Sequence, residues 1–205
     1  MASTSTSEGS KPSDDATSLT EGPCHVSLTR SRLRAQPLLD RVRSPAAGAT
    51  VLFAGTTRDN FAGKPVTGLT YSSYPPRALR TMLAICRDVA AAHGALGIAM
   101  VHRLGPVPVG EESILIAVST PHRQAAWRAG EEALERCKEK VEIWKMEEFG
   151  GGEPGVWRAN RDGAVGEKVI VGGPVPEEAE TGRPGKLLER GHGPVVHEKI
   201  GRAHV

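Results

Sequence analysis

The chain is expected to be an α+β fold, with mixed or antiparallel sheets, two main helices and disordered tails at both ends. Three observations support this expectation. Strand-like runs come in consecutive pairs rather than alternating strictly with helices, which argues against a doubly wound parallel sheet. Two long stretches carry apolar residues at helical spacing. The two ends are small, polar and rich in Pro and Gly, too poor in apolar area to offset chain entropy. The chain has 205 residues, 39% of them hydrophobic. That is enough for one domain with a sizeable core. The expected division is a disordered tail over residues 1–24, a folded domain over 25–160 and a mostly disordered extension over 161–205.

Taken in order, residues 33–42 carry apolar side chains at 35, 38, 39 and 42, a short amphipathic helix with Pro37 near its start. GATVLFAG at 48–55 reads as a buried strand, followed by the polar loop TRDNFAGK with Gly63 at a turn. A second strand over 66–74 stops at Pro75-Pro76, and Pro76 suits the first turn of a helix. That helix runs through Ala78, Met82, Ile85 and Val89 and ends at Gly94. Strands follow at 98–103 and 113–119, joined by the Gly/Pro-rich LGPVPVGEE. A second long helix spans 122 to about 138, and a strand spans 141–146. Val156-Trp157 begins another strand after the turn GGGEPG, which lacks the Lys-Ser/Thr of a phosphate loop. A short strand is indicated at 168–171.

Net charge is +2 and aromatics make up 4%. There is neither the basic face nor the stacking platform that nucleic acid calls for, though a local basic pocket for a small anion is compatible with both. The three cysteines, Cys24, Cys86 and Cys137, lack metal-ligand spacing, and their odd number argues against a disulfide framework. No run is long enough to span a membrane. The N-terminus lacks a secretory core, and its acidic residues argue against a transit peptide, so cytoplasm is the expected location.

Candidate chemistry lies at four places. Thr120-Pro121-His122-Arg123 joins a strand to a helix. Helix N-terminal N–H groups with a His and an Arg beside them suit an anion; alternatively Thr120 caps a helix whose His and Arg are solvated. Arg58 follows a strand and either reaches a carboxylate or phosphate or pairs with Asp59 on the surface. Lys138 sits near a helix end, where a cation complements the dipole. Lys145 falls on the same strand face as Val141 and Ile143. A lysine in that position is either an acid or base facing a substrate or a strand-end side chain reaching for water. His102-Arg103 ends a strand with one side chain inward and paired.

Taken together, GATVLFAGTTRD at 48–59, LTYSSYPPRA at 69–78, VHRLGPVPVGE at 101–111, STPHRQAAWRAGEEALERCKEKVEIWKMEE at 119–148 and VW at 156–157 resemble the family of large, catalytic subunits of molybdopterin synthase. The resemblance covers about residues 26–160. It implies a hammerhead-like α/β core and a sulfurtransferase acting on cyclic pyranopterin monophosphate. Two sulfurs are installed to make the dithiolene of molybdopterin, a step of molybdenum cofactor biosynthesis. The sulfur arrives as a thiocarboxylate on the C-terminal Gly-Gly tail of a small ubiquitin-like subunit. Large subunits are implied to form a homodimer with a small subunit at each end, a heterotetramer overall.

By position, the implied substrate contacts are Thr56, Thr57, Arg58, His122, Arg123, Lys138, Lys145, Met146 and Glu147, with Lys138 and Lys145 catalytic. Thr56-Thr57 stand where the family often has Lys or Val, which leaves backbone contact there. No metal or cofactor is implied, since Arg, Lys and His suffice to stabilise anionic substrates. The competing expectation is a non-catalytic docking module for the ubiquitin-like sulfur carrier.

Overall fold

The computed structural model describes residues 17–149, 155–160 and 167–168. It opens with a hairpin, β1 (Thr17–Glu21) and β2 (Cys24–Thr29), turned through Gly22 at φ +53°. Then follow α1 (Ala35–Arg41), β3 (Ala49–Thr56), β4 (Asn60–Phe61), β5 (Lys64–Ser73) and α2 (Pro75–His93). The chain continues with β6 (Gly97–Arg103), β7 (Gly105–Pro108), β8 (Glu112–Thr120) and α3 (Arg123–Lys140). It closes with β9 (Ile143–Phe149), β10 (Val156–Ala159) and β11 (Glu167–Lys168).

The strands form two sheets. One runs β1-β2-β6-β8-β3, antiparallel except for the parallel β2–β6 pair. The other runs β11-β10-β9-β5-β4, with β7 also paired to β5. The expected α+β class with mixed sheets and two main helices is what forms.

The first sheet is covered on both faces, so its central strands read as continuous apolar runs rather than alternating ones. Ile98, Met100, Ile116 and Val118 join α2 and α3 in the main core. The alternate residues Ala99, Val101, Leu115 and Ala117 pack with Leu38 and Val42, at α1 and its C-terminal end, on the other face. A helix of seven residues is marginal in water. Burial of Leu38 and Val42, at roughly 1.5–3 kcal/mol per side chain, supplies what α1 lacks. Tyr71, Val107 and Ile143 of the second sheet enter the main core, so both sheets share it.

Two departures from expectation are informative, and one short strand forms where it was indicated. The expected N-terminal tail over 1–24 contains β1 and the start of β2; β1 pairs from Thr17 to Glu21 although its own side chains are mostly exposed. Its backbone hydrogen bonds to β2 hold it in place, and composition does not register those. The Gly/Pro-rich connection holds β7, whose register with β5 runs from Gly68↔Pro108 to Tyr71↔Gly105. Beyond 160, β11 adds to β10 at Glu167 and Lys168, starting one residue before the short strand indicated at 168–171, whose residues 169–171 lie outside the described residues. The remainder of both expected tails, residues 1–16, 161–166 and 169–205, lies outside the described residues.

Candidate functional site

The β8–α3 junction is built by close approach. A Cβ on Gly48 would lie 2.4 Å from the Pro121 carbonyl oxygen, so only glycine lets the start of β3 meet this turn. The result is a hollow of about 320 Å³ lined by Gly48, Pro121, His122, Arg123 and Gln124. The N-cap of α3 is His122 in extended conformation, and it makes no side-chain capping bond. Thr120, expected as the cap, instead donates its hydroxyl to the His122 carbonyl at 2.8 Å. With no side chain on its first N–H groups, and His122 and Arg123 exposed beside them, this helix start suits an anion.

The loop after β3 carries Thr56, Thr57 and Arg58. Thr57 is buried at 3% exposure, with its hydroxyl oxygen unpaired. Its N–H donates to the Glu111 carbonyl at 3.0 Å and its carbonyl accepts from Gly110 N–H at 2.9 Å. The Glu111 carboxylate is gripped by Arg103 at 2.6 Å and faces Arg32 at 3.7 Å. The Arg103 hydrogen bond holds the Glu111 carboxyl below its usual range. Thr56 and Arg58 are therefore presented to solvent on either side of an anchored residue. Asp59 accepts from the Asn60 amide at 2.7 Å, and no ion pair joins it to Arg58 among the described residues.

On β9 the alternation runs as expected and reaches further. Ile143 and Glu147 are each 2% exposed, the Lys145 side chain between them is 23% exposed, and Trp144 turns outward. Lys145 Nζ lies 4.0 Å from one Glu147 carboxylate oxygen, and the other oxygen faces Arg158 Nε at 3.6 Å. Met146, on the opposite face, leaves so little room that a Cβ on Gly155 would meet its Sδ at 3.0 Å. Behind Lys145 the floor is neutral. Tyr71, its cross-strand partner, packs edge-on against His102 at 4.9 Å between ring centroids. Burial raises the Tyr71 phenol above its ordinary range, and complete burial lowers His102 to about 4. The neutral His102 ring donates from Nδ1 to the Arg103 carbonyl at 2.8 Å and takes the Asn160 amide at Nε2, 3.4 Å away.

Lys138 lies in the last turn of α3, 4.0 Å from Glu135. Because α3 is continuous from Arg123 to Lys140, Arg123 and Lys138 are separated by roughly 22 Å along its axis. One chain thus brings Lys145 and Glu147 together and keeps His122 and Arg123 far from Lys138. The Arg58 loop is tied to the Lys145 side through Phe61, whose ring lies 4.7 Å from the Arg158 guanidinium carbon. Arg158, Phe61, Tyr71 and Asn160 gave no local signal in the sequence, because their meeting depends on sheet register alone.

The model of the family described as MoaE protein matches residues 28–140, more than half of the chain. The chain belongs to the MoaE protein family. Among MoaE-family relatives, a protein of Sclerotinia sclerotiorum named molybdopterin synthase catalytic subunit is 63% identical over 186 residues, covering 87% of this chain and 93% of that one. A protein of the same name from Neurospora crassa is 64% identical over 173 residues, 82% of this chain and 84% of that one. The crystal structure of molybdopterin synthase from Staphylococcus aureus matches with a TM-score of 0.60 at 32% identity, over 64% of this chain and 94% of that one. A chain of the complex of subunits 1 and 2 of the molybdopterin-converting factor from Helicobacter pylori has a TM-score of 0.52 at 20% identity, over 62% of this chain and 90% of that one, a likeness of MoaE fold.

Proposed function

We propose that this MoaE-family chain is a sulfurtransferase, the catalytic subunit of a molybdopterin synthase, and that its site is shared between two copies. It converts cyclic pyranopterin monophosphate to molybdopterin with sulfur from the C-terminal thiocarboxylate of a small ubiquitin-like subunit. The observation that carries the site is Lys145, set inward on β9 beside the buried carboxylate of Glu147. A surface lysine of a passive docking module has no need of a buried partner.

In this reading Arg58, His122 and Arg123 hold the pterin phosphate, where the uncapped start of α3 adds its N–H groups. Lys138 orients the thiocarboxylate and stabilises charge at its acyl carbon. Lys145 moves protons during addition of sulfur and loss of oxygen, and Glu147 sets its position. Thr56, Thr57 and Met146 contribute backbone and packing, since Thr57 is buried. The length of α3 supports a composite site, with His122 and Arg123 of one copy facing Lys138 and Lys145 of the other. The working unit is a homodimer of the folded domain, flanked by two small subunits and active in the cytosol.

The test is single-turnover conversion of cyclic pyranopterin monophosphate by the full chain with thiocarboxylated small subunit. Wild type should turn over. Lys145→Ala should lose turnover by about two orders of magnitude while still binding the small subunit. Equal turnover would remove Lys145 from the chemistry, and no turnover in either would favour the docking module.

A further inference from the structure

Three antiparallel strands carry one row of side chains across the second sheet: Tyr71 on β5, Lys145 on β9 and Arg158 on β10. Lys145 and Arg158 are direct cross-strand partners, and like charges so placed repel. Both are largely covered, at 23% and 24% side-chain exposure, so solvent screens them poorly. The next residue inward on the same face of β9 is Glu147, at 2% exposure, with one oxygen toward each cation. A carboxylate that deeply covered is costly unless paired. A single buried carboxylate thus serves two cations, and the second cation belongs to no role assigned above.

We propose that Arg158 is a positioning residue for Lys145, acting through Glu147. This rests on the reading of Lys145 given above. The Arg158 guanidinium carbon lies 4.7 Å from the centre of the Phe61 ring, a cation–π contact that holds the group against β4. From there its Nε faces one Glu147 oxygen at 3.6 Å while Lys145 Nζ lies 4.0 Å from the other, both charge contacts beyond hydrogen-bond reach. Lys145 is thereby oriented by a charge without being bound by it, and its ammonium stays available to an arriving anion. Remove Arg158, and Lys145 becomes the nearest cation left to that carboxylate. The carboxylate then closes on Lys145 and draws it away from substrate. Substrate affinity, which rests on Arg58, His122, Arg123 and Lys138, is not altered.

The experiment uses the full chain with thiocarboxylated small subunit and compares Arg158→Gln, Arg158→Lys, Glu147→Gln and the double variant Arg158→Gln/Glu147→Gln, with Lys145→Ala in parallel. Arg158→Gln should lower kcat about tenfold with KM for either substrate unchanged within about twofold. Arg158→Lys should restore most of the loss. In the Glu147→Gln background, adding Arg158→Gln should change kcat by less than about twofold, because the path of action is already cut. An undiminished kcat in Arg158→Gln, or the same fall in both backgrounds, overturns the proposal. Should Arg158→Gln fail to fold, Phe61→Leu keeps the guanidinium and frees it; kcat should fall by a few fold, and an unchanged kcat overturns the proposal. If Lys145→Ala itself turns over normally, the underlying reading of Lys145 fails. If Lys145→Ala is dead and Arg158→Gln is normal, only the role of Arg158 fails.

Discussion

Lys145 shows how a single side chain acquires meaning from two neighbours that sequence spacing names only in part. The two-residue period of β9 puts Ile143, Lys145 and Glu147 inward; alternation gave the face of Lys145, whereas Glu147 was indicated only by the family resemblance, because β9 runs on past the expected end at 146. Arg158 was indicated by neither, because it arrives from a strand whose register cannot be read locally. Gly48 is the other residue whose role is purely spatial. Gly48→Ala should destabilise the fold by about 2 kcal/mol, because its Cβ would meet a backbone carbonyl that cannot yield. Thermal unfolding measures that loss. The same variant should also weaken binding of phosphate-bearing substrate, since the hollow at His122 and Arg123 would be displaced. An unchanged Tm would mean that the turn at Pro121 is pliable.

At the scale of the element, α3 decides the architecture of the site. It delivers Arg123 at one end and Lys138 at the other, and it is not broken between them. A ligand the size of a pterin phosphate cannot touch both in one chain. If the site is shared across a two-fold dimer, each heterodimer of Arg123→Ala with Lys145→Ala holds one doubly damaged site and one intact site. Mixing the two inactive variants, with subunit exchange, should therefore return activity to about one quarter of wild type. Recovery would be absent if every site were built within one chain. The helix itself was expected from its periodicity, and its start at the end of β8 was placed within a residue. Its cap was misassigned, because Thr120 turns its hydroxyl to a carbonyl rather than to a helix N–H.

For the whole molecule, two histidines are kept neutral by the fold. Burial lowers His102 and His25 each to about 4 from an ordinary 6.5, with Arg41 adding to the effect at His25. The unfolded chain binds these protons near pH 6.5 and the folded chain does not, so stability is lost as pH falls from about 6.5 toward 4. For fully buried His102 the loss amounts to roughly 3 kcal/mol across that window. Glu111 and Glu132 are held low chiefly by hydrogen bonds from Arg103 and His93, so their contribution disappears further down, below about 4.5. Urea unfolding at pH 7 and pH 5 should show a clear fall in midpoint. A His102→Asn variant should show a shallower fall, and equal slopes would dissociate His102 from it. The three cysteines, all buried in the main core, are not expected to respond over this range; burial pushes Cys137 up to about 12 and Cys86 higher still.

The sequence by itself determined the α+β class, the order of the long elements, the face that Lys145 shares with Ile143, and the family. These depend on local periodicity, turn chemistry and short ordered motifs, all of which are written along the chain. Tertiary structure alone decided that β1 and β11 join the sheets, that β7 pairs with β5, and that Arg158, Phe61, Tyr71 and His102 gather around Lys145. Those outcomes come from hydrogen bonding and register between strands far apart in sequence. Backbone pairing carries no compositional mark, and a shift of one residue in register would send each of those side chains to the opposite face.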